Sequence, residues 1–192
     1  MELNSKFEHD KFLLHQKHFA FGEKYNIYDE SEQPLFYVVR EKFKLYANIH
    51  VYGNDSKTEE LLTIEDKSVF DMDATMNVKD PKTGEQVGSF KREMLSSLLR
   101  RTWKILDGQG NVIGSAMEDS MGKALVRRII PFGGLLRTNF IIEMNGRGVG
   151  KFDRKFTIGD KYVLDLSDDP QRVFDRRMAV ALGILLDSAE AR

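Results

Sequence analysis

The residues best placed to do chemistry lie between Lys123 and Arg137, a segment that reads KALVRRIIPFGGLLR. Four cations, Lys123, Arg127, Arg128 and Arg137, flank an apolar run hinged by Pro131, Gly133 and Gly134. Such a mixture suits an anionic bilayer surface, where guanidinium groups meet lipid phosphates and apolar side chains wedge among the headgroups. Arg127, Arg128, Phe132 and Arg137 are therefore the candidate lipid-binding residues, with Ile130, Leu135 and Leu136 adding apolar area. The same apolar residues could instead cap one end of a barrel and cover a buried helix, a packing role that needs no ligand.

Other chemistry finds little footing. Asp71 and Asp73 open a stretch with acids at the first and third positions of a calcium loop. Its sixth position is Met76, where the sharp turn needs glycine, and its twelfth is Lys82, where a bidentate glutamate belongs. Asp165, Asp168 and Asp169 are better read as caps at the positive end of a helix dipole. The four histidines, His9, His15, His18 and His50, offer no H-E-x-x-H pair, and neither a G-x-S-x-G elbow nor a P-loop occurs. Gly146 to Gly150 (GRGVG) imitates part of a dinucleotide fingerprint, but the residues after it read as strand, so it is a hairpin turn. The expectation is a protein that is not an enzyme and that takes no metal and no cofactor.

The composition fits that expectation. Hydrophobic residues make up 41% of the 192 and charged residues 31%, as in a soluble globular domain, and the net charge of −1 speaks against a dedicated nucleic-acid binder. The charge is unevenly spread. Residues 1–99 hold 13 Lys and Arg against 18 Asp and Glu, a net of −5; residues 100–155 hold 11 against 5, a net of +6; the last 37 hold 5 against 7, a net of −2. A basic middle in a neutral chain can meet an anionic surface. The chain has 0 cysteines, which removes disulfides and thiolate sites, and no run approaches the roughly 20 apolar residues of a membrane span. The N-terminus has no apolar signal region, so the expected location is the cytoplasm, at the membrane periphery. The competing expectation is a scaffold or ligand-binding module that meets a protein partner or a hydrophobic small molecule at one end of the fold.

The elements that must carry these residues are mostly strands. Leu45, Ala47, Ile49 and Val51 alternate with Tyr46, Asn48, His50 and Tyr52, the period of a sheet with two distinct faces. Turn residues recur at 29–34, 53–56, 80–84, 107–111 and 145–148, dividing the chain into antiparallel hairpins. Several hairpins share a loose unit of strand, Asp or Asn turn and strand, as around Asp29, Asp80, Asp107 and Asn145. These signals predict about twelve strands, which in one domain spanning 1–192 would close on themselves and so remove their edges. A short helix is expected near Met121–Ile130. A second is expected over about 170–190, with Asp169 as its N-cap and Pro170 in its first turn. Met178 to Leu186 carry no charge, so this helix is apolar all round and must be surrounded on every side. A closed antiparallel barrel with the helix running through it satisfies both halves of the chain.

The C-terminal run from Tyr162 (YVLDLSDDP) through Met178 to Asp187 (MAVALGILLD) resembles the final strand and central helix of the tubby-like superfamily. Phe19 to Asp29 (FAFGEKYNIYD) and Arg101 to Asp107 (RTWKILD) resemble its small LURP-one-related, scramblase-like branch. The resemblance implies a closed β-barrel of about twelve strands around a C-terminal helix. It also implies a link to lipid, since tubby binds phosphoinositides and scramblases are associated with lipid movement. The scramblase calcium segment would fall at Gly159 to Leu166, where Asp160 and Asp165 stand without a closely spaced acidic partner, so calcium binding is not carried over.

Overall fold

Residues alternate between buried and solvent-facing along each strand; Ile49 and Val51 are buried while Asn48, His50 and Tyr52 are only half-buried. One closed surface with an apolar inside follows from that pattern. The computed structural model describes residues 3–19, 22–41, 48–66, 75–93, 101–119, 139–155 and 161–190. Its twelve strands are β1 (Lys11–Phe19), β2 (Gly22–Tyr28), β3 (Pro34–Arg40), β4 (Asn48–Tyr52), β5 (Glu60–Asp66), β6 (Thr75–Lys79), β7 (Gln86–Glu93), β8 (Thr102–Asp107), β9 (Val112–Glu118), β10 (Asn139–Met144), β11 (Arg147–Lys155) and β12 (Lys161–Asp165). Each pairs antiparallel with its neighbours in sequence, and β1 closes the barrel on β12. A one-turn 3-10 helix, Ser5–Phe7, precedes the barrel, and helix α1, Arg176–Glu190, fills it.

This up-and-down topology gives the barrel two unlike ends. The β2–β3, β4–β5, β6–β7, β8–β9 and β10–β11 turns share one end with the chain leading into α1; this is the turn end. The remaining connections, 20–21, 41–47, 67–74, 94–101, 119–138 and 156–160, all leave from the other, the loop end. The hairpin repeat has a physical basis at the turn end. Asp29 accepts from the backbone N–H of Ser31 and Gln33, and Asp107 from those of Gln109 and Asn111, all within 2.8–2.9 Å. Asp80 does the same for Lys82. A carboxylate that takes the orphan N–H groups of its own turn fixes that turn without outside help. Asn145 and Gly146, both at positive φ (50° and 75°), turn β10 into β11, so the GRGVG stretch is the hairpin expected of it.

Met178 to Leu186 are buried on all sides of α1, as their uncharged run requires. Each fully buried Leu or Ile contributes about 1.5–3 kcal/mol relative to exposure, so this helix holds much of the apolar stabilisation of the fold. Gly183 faces the wall at β1 and β11: a Cβ there would make ordinary van der Waals contact, 3.4 Å from Leu14 Cδ2 and 3.6 Å from Phe152 Cε2.

The start of the helix needs correction. Regular helix begins at Arg176, not near 170, and Asp169 is not its cap. Asp175 takes that place, its Oδ1 accepting from Arg177 N at 2.8 Å and its carbonyl from Ala179 N at 2.9 Å. Asp169 is drawn inward instead. Its carboxylate accepts from the backbone N–H of Val173 and Phe174 and from the Arg176 guanidinium, which holds 170–175 in a non-helical bridge. The strand expected to begin at Leu45 starts, among described residues, at Asn48; Leu45 and Ala47 lie outside them, as does the helix expected near Met121–Ile130.

Candidate functional site

Arg127, Arg128, Phe132 and Arg137 lie outside the described residues, and so do Asp71 and Asp73. Where their segment is anchored is described. Strand β9 ends at Glu118, and Asp119 N donates to Asn139 O at 2.8 Å just before β10 begins. The 120–138 connection therefore leaves and rejoins the barrel at one point of the loop end, one strand away from β11.

The strands next to that point carry a run of cations. Lys155 on β11 stands directly opposite Lys161 on β12, which stands opposite His15 on β1. Two residues further along β1, Lys17 stands opposite Lys24 on β2. Ile27, Tyr162 and Leu164 are buried, so the alternation puts Lys24 and Lys161 on the outer face. Four adjacent strands thus hold two lysine pairs at the loop end. Directly opposed side chains have Cβ atoms roughly 4.5–5.5 Å apart, where like charges repel. Neither the Lys24 nor the Lys161 side chain makes a hydrogen bond or ion pair among the described residues.

Elsewhere on the wall, charge is matched. Lys79 meets Glu65 at 3.0 Å. His50 sits between two carboxylates, with Nδ1 2.5 Å from Glu60 Oε1 and Nε2 3.6 Å from Glu41 Oε1. Lys91 also opposes Lys104, but Lys104 lies 3.5 Å from Glu93. Lys11 contacts Glu30 at 2.9 Å, and that hydrogen bond together with nearby Asp165 raises its pKa. The β11–β12–β1–β2 loop end is the part of the described wall where lysines are set against lysines without an intervening carboxylate partner for Lys24 or Lys161.

The turn end is built differently. Arg176 is buried, and its guanidinium meets Asp169 Oδ2 at 2.7 Å and Asp10 Oδ1 at 2.8 Å. Burial raises the Asp169 pKa, but hydrogen bonds from Phe174 N–H and from Arg176 outweigh it and hold the carboxyl below its ordinary value. Arg177 bridges Asp175 at 2.7 Å and Glu85 at 2.9 Å, joining the first turn of α1 to the β6–β7 turn. Arg172 donates to Glu8 O, and Lys6 to the carbonyls of Leu35 and Gly53. These cations are structural fasteners. Beside them lies a cleft of about 370 Å³ between the β10–β11 turn and residues 168–173.

The lysine pairs and the Arg176 cluster are sites that sequence reasoning missed. Opposed lysines become visible only once strand register is fixed, and Asp169 to Arg176 matches no helical or strand spacing. Among the described residues, no three His, Asp or Glu side chains form a metal-binding group, and no helix is long and apolar enough to cross a membrane. No curated protein matches the chain. The family model described as LURP-one-related matches residues 10–187, from the first strand to near the end of the central helix. With a twelve-strand closed barrel wrapped around its C-terminal helix, the chain belongs to the LURP-one-related family of the tubby-like superfamily.

Proposed function

We propose that this chain is a non-enzymatic binding protein that associates with anionic membrane lipid through the loop end of its barrel. The observation that carries this reading is the register: Lys155 against Lys161 and Lys17 against Lys24, on four adjacent strands beside the anchor of the 120–138 connection. An anionic surface relieves the repulsion that the fold imposes on these pairs. Arg127, Arg128 and Arg137 add cations from the attached segment, and Phe132 adds apolar insertion. A chain with 0 cysteines suits a reducing compartment, and the reading places it in the cytoplasm at the membrane periphery.

The test is sedimentation with vesicles of phosphatidylserine and phosphatidylcholine against phosphatidylcholine alone. Binding to the anionic vesicles should fall steeply with salt, because exposed charges are screened beyond about 8 Å at physiological ionic strength. Each juxtamembrane cation is worth about 1 kcal/mol, so replacing Arg127, Arg128 and Arg137 by alanine should cost about 3 kcal/mol, more than a hundredfold in affinity. Phe132→Ser should remove a part of the binding that salt does not affect. A parent that ignores anionic vesicles, or a triple variant that binds as well as the parent, refutes the reading.

A further inference from the structure

Although the barrel is closed, its seam has a gap at the turn end. Strand β12 pairs with β11 only from Lys151 to Lys155, so Arg147 and Gly148 pair on the β10 side alone. The β10–β11 register shifts after Ile142, which leaves Val149 as the extra residue of a bulge, and bulges of this kind end or redirect strand pairing. Arg147 and Gly148 are exposed. An unpaired edge is a ready template for another extended chain.

The cleft of about 370 Å³ lies along this edge, and that volume falls within the roughly 300–1,000 Å³ of ligand pockets. Met144 and Val149 are buried residues of its lining, and Pro170 and Val173 stand across from them on the 168–173 segment. Val173 is 45% exposed, a large apolar side chain left open to water at the cleft. Arg147 and Asp168 also line it, and among the described residues neither makes an ion pair or hydrogen bond through its side chain. Both stand out at an end where Arg172, Arg176 and Arg177 are all engaged.

We propose that this cleft takes a short extended peptide of a partner protein, which adds to the free edge of β11 at Arg147 and Gly148. Main-chain hydrogen bonds to the edge would supply affinity, and alternate side chains would supply selectivity. An apolar side chain rests on Val149, Pro170 and Val173. An acidic residue faces Arg147 and a basic residue faces Asp168. The site is remote from the loop end and independent of the membrane reading.

A phage-displayed library of linear heptapeptides, selected on the immobilised full chain and counter-selected on an Arg147→Glu variant, tests it. Selected peptides should carry apolar residues at alternate positions with an acid on one flank. A synthetic peptide of the selected sequence should shift the NMR amide resonances of Arg147, Gly148 and Gln171. Methylating its backbone nitrogens at alternate positions should weaken binding at least tenfold, as should Arg147→Glu, a substitution of an exposed side chain that should leave the melting temperature unchanged. The proposal is overturned if no peptide is enriched over the variant. It is also overturned if the shifts map elsewhere, if N-methylation has no effect, or if the edge proves occupied by a second copy of the chain in a concentration-dependent dimer.

Discussion

At the turn end Arg176 is buried between Asp169 and Asp10, whereas at the loop end Lys155 is set against Lys161 and Lys17 against Lys24. Both arrangements are imposed by the same barrel, but they answer to different constraints. The chain must cross from the wall into the interior at the turn end, which takes the backbone N–H groups of Val173 and Phe174 out of any ladder and buries that of Phe174. Asp169 satisfies those donors and Arg176 neutralises Asp169, so polar groups there are used up by the fold. Nothing in the barrel requires lysines to face one another across β11–β12 and β1–β2. Lys24 and Lys161 close no side-chain hydrogen bond or ion pair among the described residues, so their charge is not used up by the fold.

The largest effect should come from the element that both ends enclose. Leu182→Asp would strand a carboxylate in the centre of the barrel and should prevent folding, read as loss of near-ultraviolet circular dichroism and of cooperative melting. A variant that melts like the parent would break the central-helix architecture. Next comes the turn end. Arg176→Met leaves Asp169 as a buried carboxylate without its cation and should destabilise by about 3–5 kcal/mol in urea unfolding.

At the loop end the sign should reverse. Lys161→Glu and Lys24→Glu each replace a repelling pair by an attracting one, so stability should hold or rise by a few tenths of a kcal/mol. Binding to anionic vesicles should fall by about 2 kcal/mol for each charge reversal, roughly thirtyfold. A loss of stability at either position would show that these lysines are structural, like the arginines of the turn end.

The smallest effect is a pH dependence. The Asp169 carboxyl lies below its ordinary value in the folded state, so its contribution is complete above about pH 4 and is lost as pH falls through the folded value. Asp165 is also lowered: burial opposes the shift, but hydrogen bonds from Ser167 and the charges of Lys11 and Lys151 outweigh it. Melting temperature measured from pH 7 to pH 2.5 should therefore drop on the acid side, and Asp169→Asn should show a shallower drop.

Much of this architecture was legible in the sequence because it rests on local signals. The Asp29, Asp80 and Asp107 turns are written in residues two to four positions apart, and the uncharged run from Met178 to Leu186 dictates a surrounded helix without reference to its neighbours. The helix start was misread for the same reason. Asp169-Pro170 has the local look of a cap, and only Arg176, seven residues on and itself held by Asp10 just before β1, pulls Asp169 into another role. The site was less legible still. The basic segment from Lys123 to Arg137 stood out by composition, but the lysines that share its end of the barrel lie at 17, 24, 155 and 161, brought together only because β1 closes on β12.

With 0 cysteines in the chain, single labels can be placed at will, and one pair tests the membrane account most directly. Asp153→Cys puts an environment-sensitive fluorophore on the outer face of β11 near the loop end, and Gln109→Cys puts it in the exposed β8–β9 turn at the other. On adding phosphatidylserine-containing vesicles with a lipid-borne quencher, the label at 153 should shift to the blue and be quenched, while the label at 109 stays as it is in buffer. Quenching at 109 in preference to 153, or no response at either, would contradict the assignment of the loop end as the membrane-facing side.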